Sequence, residues 1–155
     1  KGTKFNKMQN SIKSDYLKYW RVIRYFVKAK YGLSTVELDM LLFLYSEDIF
    51  SRQRFDEFEQ LMPWNKLSFK KLMDQGWVEL FRKKTKRKKP MYQLSYKCQR
   101  VISSIYKKLN GEEIPTTQKN NPIFKRNIKY TDKAYKKMIL EMNYFIKQQR
   151  HRAPE

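Results

Sequence analysis

Residues 82–89 read RKKTKRKK, and seven of these eight positions are lysine or arginine. The run lies between two stretches of strand-like sequence, WVELF at 77–81 and MYQL at 91–94, so it predicts a β-hairpin with a cationic loop. Because charged side chains are costly to bury without a partner, we expect this loop on the surface. An exposed cluster of cations suits a polyphosphate better than a protein core.

Helical patterns surround the hairpin on both sides. The spacing of apolar residues and the capping residues predict helices at 14–31, 34–45, 51–62, 64–75, 95–109 and 131–147. Ser34 and Glu37 form a capping box for the second helix, and Gly76 is typical of a left-handed stop after the fourth. The sequence therefore predicts a mainly α fold with one small β-hairpin.

The bulk composition bounds the class of protein. The chain has 155 residues, 41% of them hydrophobic, which is enough for one domain with a full core. Its 35 Lys and Arg against 15 Asp and Glu leave a formal net charge of +20. Nucleic acid is the commonest partner for such a charge, and an anionic membrane surface or an acidic protein stays open at this point.

The sequence also predicts how the chain is divided into segments and whether it forms a disulfide or crosses a membrane. The predicted organisation is a basic N-terminal arm (1–13), a helical domain that includes the hairpin (14–111), a connector (112–130), and a C-terminal helix with a polar tail (131–155). The one cysteine, Cys98, excludes an intramolecular disulfide. No apolar run approaches the roughly 20 residues of a membrane span, so we expect no membrane partner.

Three short motifs, taken with the order of the helices and the hairpin, resemble a known family. These are GLS at 32–34 before the second helix, LMDQGWV at 72–78 across the end of the fourth, and LSYK at 94–97 at the end of the hairpin. They are similar to the corresponding segments of the MarR family of winged helix-turn-helix regulators. The resemblance implies a recognition helix at 64–75, a wing at the hairpin, and dimerisation through the terminal helices. The loop departs from the family pattern because it has no acidic residue.

The resemblance places the predicted DNA contacts on the fourth helix and the wing. A recognition helix lies in the major groove, where Asn bonds adenine and Lys reaches guanine or a phosphate. Cations on a wing neutralise phosphates and release counterions. The predicted DNA-binding residues are Asn65, Lys66, Ser68, Lys70, Lys71, Arg82, Lys83, Lys84, Lys86, Arg87, Lys88 and Lys89. The alternative is a solvated helix face and a solvated loop. Trp64 and Leu67 are expected to point partly outward, where they pack on the third helix, touch thymine methyl groups or mark a protein-binding surface.

The first and last helices are predicted to form a homodimer interface. In the resembling family these elements intertwine two subunits and set two recognition helices about one DNA turn apart. The predicted interface residues are Tyr16, Trp20, Ile23, Val27, Tyr135, Met138, Ile139, Met142 and Ile146. The alternative is that the same apolar residues fill the core of a monomer.

Residues suited to catalysis or to metal binding are scarce. The single histidine, His151, lies in the polar tail, and Cys98 has no histidine nearby in the sequence. Acidic side chains at 56, 57 and 59 occupy adjacent helical positions, which diverge rather than converge on a metal ion. There is no phosphate-binding loop, dinucleotide turn or zinc spacing, so we expect no enzyme activity, no metal and no cofactor.

Two functions from different classes remain. The first is a DNA-binding protein, most simply a dimeric MarR-like transcriptional regulator that is cytoplasmic and nucleoid-associated. The second is a structural, packaging or adaptor protein of a phage virion, which contacts scaffold proteins or the packaged genome. Abundant Lys, Asn, Ile and Tyr indicate an A/T-rich genome and are compatible with a phage source.

Overall fold

The computed structural model describes residues 16–62 and 67–152 of the chain. Within them it is mainly helical, with six α-helices and a small three-stranded antiparallel sheet, which confirms the predicted class and the hairpin. The helices are α1 (Tyr16–Tyr31), α2 (Thr35–Tyr45), α3 (Arg52–Glu59), α4 (Phe69–Asp74), α5 (Tyr96–Leu109) and α6 (Tyr130–Arg152), and the strands are β1 (Ile49–Phe50), β2 (Val78–Arg82) and β3 (Met91–Leu94). None of the described helices is both long enough and apolar enough to cross a membrane.

The chain forms two compact units. The hairpin unit comprises Leu33–Ser104, and the helical unit comprises the described residues before and after it, 16–32 and 105–152. These units divide the chain differently from the predicted domain 14–111, because α1 packs on α6 within the helical unit. The rings of Tyr25 on α1 and Tyr135 on α6 are stacked, with centroids 3.8 Å apart.

Helix α2 begins at the predicted capping box and forms the centre of the hairpin unit. The Ser34 amide donates to Glu37 Oε1 at 2.9 Å, and the Glu37 amide donates to Ser34 Oγ at 3.2 Å. Two backbone donors at the helix start are therefore satisfied locally. Leu38, Leu41 and other apolar side chains of α2 are buried, so packing stabilises a helix that the cap has started.

The sheet contains a strand that the sequence pattern did not predict. Its order is β1-β3-β2, and β1 pairs with β3 through Ile49 opposite Gln93 and Phe50 opposite Tyr92. A strand of two residues is too short to show alternation of apolar and polar positions. In β2 the register shifts between Leu80 and Arg82, which leaves Phe81 as the extra residue of a β-bulge.

Helices α3 and α4 each begin at a serine N-cap. Ser51 Oγ accepts from the Arg54 amide at 3.2 Å, as predicted, and Ser68 Oγ accepts from the Lys71 amide at 3.1 Å. The predicted start of α4 near residue 64 is wrong, because Ser68 has an extended backbone and the helix starts only after it. The helix ends at Asp74, and Gly76 just beyond its C-cap has a φ of +78°, which confirms the predicted left-handed stop.

The connector of the helical unit is attached to α6 by a buried amide. The Asn143 side chain accepts from the Ile114 amide at 2.9 Å and donates to the Ile114 carbonyl at 2.8 Å. A 3₁₀ turn at Pro122–Phe124 buries Ile123 and so holds the connector against the helical unit. Tyr130, at the predicted end of the connector, is 88% exposed, and the last helix extends to Arg152 instead of ending at the predicted residue 147.

Candidate nucleic-acid interface

The tip of the hairpin is ordered by its own hydrogen bonds. The Thr85 amide donates to the Lys88 carbonyl at 3.0 Å, and the Lys88 amide donates to Thr85 Oγ1 at 3.0 Å. The one uncharged residue of the 82–89 run therefore closes the turn, which explains its place among the cations. The lysines around it project from a defined backbone.

The cations of this tip are exposed and have no acidic partners. Within the described part of the chain, none of them makes an ion pair with a carboxylate. We call this set the hairpin tip: Lys83, Lys84, Lys86, Arg87, Lys88 and Lys89. Six uncompensated charges on seven successive residues create a positive potential that a polyanion would neutralise.

Arg82 differs from the other predicted cations of the hairpin. It is half-buried, and its Nη2 donates to the Lys89 carbonyl at 3.2 Å, across the base of the loop. Arg82 directly follows the bulge at Phe81. Arg82 therefore links the two sides of the hairpin, although the loop has no acidic residue to pair with it. Its contact with DNA stays a prediction.

Two of the polar side chains of α4 that were predicted to contact DNA already have partners within the chain. Ser68 is occupied as the N-cap, and the side chain of Lys71 is 53% exposed with its Nζ 3.3 Å from Glu37 Oε2. Of the residues expected to face the groove, Lys70 is exposed, while Asn65 and Lys66 lie outside the described residues. The helix has only six residues, so it presents fewer than two turns to a partner.

Glu37 connects the start of α2 to α4. The residue is 4% exposed, and its carboxylate accepts from the Ser34 amide while it pairs with Lys71. Burial alone raises the pKa of this carboxyl, but the hydrogen bonds of Ser34 and the Lys71 ammonium outweigh burial, so the pKa is lowered. The ionised form is therefore the one that the fold stabilises.

Two cations at the start of α5 were absent from the predicted site. Lys97 Nζ donates to the Gln75 carbonyl at 3.2 Å and lies 4.0 Å from the centroid of the Trp77 ring. Arg100 lies 5.7 Å from the centroid of the Tyr96 ring, which is 73% exposed. The signal in the sequence is the four-residue spacing of Tyr96 and Arg100, which places them on one helix face.

Helix α3 carries cations that already have partners. Arg52 pairs with Asp56 at 3.1 Å, and Arg54 pairs with Glu57 at 2.9 Å and with Glu47 at 3.0 Å. The acidic side chains pair with both arginines of α3, so this helix contributes no unpaired positive charge.

The predicted dimer residues separate into two groups by burial. Tyr16 is exposed, and Trp20, Tyr135 and Met138 are half-buried. The other five are buried within the single chain: Ile23, Val27, Ile139, Met142 and Ile146. Packing inside one chain is enough to explain the apolar spacing of these five, and the dimer stays a prediction.

The cysteine and the histidine occupy unremarkable positions. Cys98 is fully buried in α5, and burial raises its pKa to about 12, with a smaller opposing effect of Lys97. Its thiol therefore stays protonated near neutral pH. His151 is exposed in the last turn of α6. Among the residues that the structure describes, no three His, Cys, Asp or Glu side chains gather as metal ligands.

Comparisons of this chain with protein-family models, with curated proteins and with solved structures find no match. The resemblance to the MarR family therefore depends on the three motifs and on the order of the elements.

Proposed function

We propose that this chain binds duplex DNA through a winged-helix unit, with the hairpin tip on the phosphate backbone. The simplest protein of this kind is a dimeric MarR-like transcriptional regulator. One observation carries the proposal: six exposed cations without acidic partners stand on a turn that Thr85 holds in place. Such an arrangement concentrates positive charge where a duplex backbone is able to reach it.

The order of elements in the hairpin unit supports the winged-helix assignment. The unit runs α2, β1, α3, α4, β2, β3 and then α5, and its sheet has the order β1-β3-β2. In this arrangement α3 and α4 take the places of the helix-turn-helix pair, and the β2–β3 loop takes the place of the wing. The wing and the recognition helix are then consecutive along the chain.

The chemistry of the hairpin tip favours phosphate contact over base readout. Five of its six cations are lysines, which act as point charges rather than as bidentate forks. If the tip contacts about four phosphates, the slope of log K against log salt concentration is near −3.6. Sequence preference would then come from α4, where Lys70 is exposed and Lys71 is shared with Glu37.

Fluorescence anisotropy with a labelled duplex tests this proposal. Lys83, Lys84, Lys86 and Lys88 are changed together to Gln, and binding is measured at several salt concentrations. We expect a loss of affinity of about 100-fold at low salt and a slope shallower by about 3.6. The matched control removes four exposed cations of the helical unit instead, by changing Lys30, Lys107, Lys147 and Arg150 to Gln.

The control is expected to keep most of the affinity, because Lys147 is near Glu113 and Arg150 donates to the Gly111 carbonyl. Equal losses of duplex affinity in both variants would mean that net charge alone determines binding and that the hairpin tip is not a specific contact site. A regulator must also prefer its own site over random duplex by about 10³-fold. Selection of bound fragments from a random duplex library measures that preference.

A second candidate function is a virion, packaging or adaptor protein that contacts another protein or a scaffold. One observation favours it: residues 33–62 hold seven Asp and Glu but only two Arg, and both arginines are paired. The exposed Phe43 and Leu61 belong to the same stretch. Under this function the chain would keep its partner after the tip lysines become Gln, and it would show no preferred duplex.

A further inference from the structure

A second group of cations lies in the helical unit, in the segment 125–137 that reads KRNIKYTDKAYKK. The segment has six Lys and Arg and one acidic residue, Asp132. Five of the cations are exposed, and we call them the second cationic surface: Lys125, Arg126, Lys129, Lys133 and Lys137. The sixth, Lys136, lies over the Phe124 ring, 5.2 Å from its centroid.

The charge of this surface is not balanced by acids. Asp132, the only carboxylate of the segment, accepts a hydrogen bond from the Tyr25 hydroxyl and faces α1. Ion pairs of the helical unit, within the described residues, join Lys108 to Glu112 and Lys147 to Glu113. The five cations of the surface have no such partner in that part of the chain, which is also the condition of the hairpin tip.

The backbone gives these cations a regular spacing. Lys129, Lys133 and Lys137 are four residues apart, and the Lys133 amide donates to the Lys129 carbonyl at 3.0 Å. One helical face therefore presents a cation about every 6 Å. A row of lysines at this spacing offers several point charges to the phosphates of one backbone.

The connector keeps the row in position. Ile123 is buried, and the Asn121 side chain accepts from its amide at 3.0 Å. The ammonium of Lys136 on the Phe124 ring joins the same 3₁₀ turn to α6. Lys125 and Arg126 thus follow a fixed turn and precede the lysines of the helix.

We infer that the second cationic surface binds the phosphate backbone of nucleic acid independently of the hairpin tip. Each unit of the chain then has its own backbone-binding surface, and the chain engages either two duplexes or a longer stretch of one. The inference shares with the proposed function only the class of partner. Two linked sites raise overall affinity without any new contact, because the second binding step becomes intramolecular.

A nucleic-acid backbone fits this surface better than a membrane does. Helices that lie on a membrane insert a broad apolar face beside their cations. In the segment 125–137 the only large hydrophobic side chain that is exposed is Tyr130. An isolated tyrosine stacks on a base or lies against a sugar, but it anchors a helix to lipid weakly.

Four full-length proteins test the inference by anisotropy with a labelled 40-base-pair duplex. They are the wild type, the hairpin-tip variant, a second-surface variant with Lys125, Arg126, Lys129 and Lys133 changed to Gln, and a variant that combines both sets. Lys30, Lys107, Lys147 and Arg150 changed to Gln again serve as the control for net charge. Far-ultraviolet circular dichroism and thermal melting show that each variant is folded.

We expect the second-surface variant to lose about 10- to 100-fold in affinity at low salt, with a slope shallower by up to about 3.6. We expect the hairpin-tip variant to retain measurable binding that disappears only in the combined variant. A version with Lys125, Lys129 and Lys133 changed to Arg keeps the charge and is expected to keep the affinity. Its retention would show that charge, rather than a disturbed fold, explains the loss.

The two proposals fail in different ways in this experiment. If the second-surface variant binds like the net-charge control, the further inference is wrong, while loss in the hairpin-tip variant would still support the proposed function. If only the second-surface variant loses affinity, the role of the hairpin is wrong and the inference stands. Unchanged duplex binding with lost binding to phosphatidylserine vesicles would assign the surface to a membrane and overturn the inference.

Discussion

The hairpin tip and helix α4 both carry lysines, but the lysines of the tip have no acidic partner whereas Lys71 of α4 has one. At the tip, Lys83–Lys89 project from a turn and meet no carboxylate in the described part of the chain. On α4, Lys71 shares its ammonium with the buried Glu37. The same amino acid is therefore a free charge in one place and part of a structural network in the other.

This difference has a consequence for affinity and for stability. Neutralising a free surface charge leaves the fold almost unchanged and weakens attraction to a polyanion. Removing a member of a buried network leaves its partner desolvated and unpaired, which lowers the free energy of unfolding. Substitutions on α4 should therefore be measured by denaturation, whereas those on the tip should be measured by binding.

The largest effect on the fold is expected from Leu72, the buried anchor of α4. Its side chain is 0% exposed, and a helix of six residues has little stability without packing. We predict that Leu72→Ala lowers the free energy of unfolding by about 2–5 kcal/mol. Urea denaturation followed by circular dichroism measures the change.

The matched substitution at the tip is Lys84→Ala, which removes an exposed side chain without a partner. Its effect on unfolding is expected to stay within about 0.5 kcal/mol. Similar losses in both proteins would contradict the distinction between a packed helix and a free loop.

A smaller loss is expected from Glu37→Gln. The amide still accepts from the Ser34 backbone, but it no longer pairs with Lys71, so the free energy of unfolding falls by about 1 kcal/mol. The pH dependence gives a sharper test. Because folding lowers the pKa of Glu37 below its ordinary value of 4.5, its contribution is complete above that value and is lost as pH falls through the folded pKa.

Denaturation of the wild type and of Glu37→Gln at pH 3 to 7 checks this sign. The difference in stability between the two proteins should shrink as the pH falls below about 4.5. A difference that is constant with pH would show that the carboxylate charge plays no part.

The sequence predicted the features that local chemistry determines. Ser34 with Glu37 and Ser51 with its following turn are capping patterns that need no tertiary contact, and both are present. The hairpin was predicted because a charged run separates two apolar stretches. In each case the signal lies within a few residues of the structure that it forms.

The features that were missed depend on residues far apart in the chain. Strand β1 exists because Ile49 and Phe50 pair with β3, more than forty residues later. The stack of Tyr25 on Tyr135 and the capture of Ile114 by Asn143 likewise join distant segments. The pairing of Lys71 with Glu37 is of the same kind, and no spacing within α4 reveals it.

The cations at the end of the connector were not predicted as a binding surface. A segment with Pro115 and Pro122 reads as a link between helices, and its cations were not part of the predicted site. The structure fixes that link through Asn143 and Ile123, so the cations after it acquire a defined spacing. The spacing of the charges is visible in the sequence, but the distant contacts that hold the connector in place are not.

Gly76 lies between α4 and β2. A substitution there tests whether this one turn positions both the helix and the hairpin. Its φ of +78° is left-handed, while a Cβ added there would meet no atom within 4 Å. We predict that Gly76→Ala costs about 1 kcal/mol from backbone strain alone, without a steric clash. Gly76→Asn should recover part of the loss in urea denaturation, because Asn tolerates this conformation better.

The smallest effects are expected from the two adjacent lysines of α4. Lys70 is exposed, and the structure gives it no ion pair among the described residues, whereas Lys71 pairs with Glu37 at 3.3 Å. We predict that Lys71→Gln lowers the free energy of unfolding by about 0.5 kcal/mol and that Lys70→Gln leaves it unchanged. Duplex affinity should show the reverse order, since only Lys70 has its whole charge available for a phosphate. If Lys71→Gln weakened binding more than Lys70→Gln and left stability intact, α4 would present its lysines to DNA as freely as the hairpin tip does.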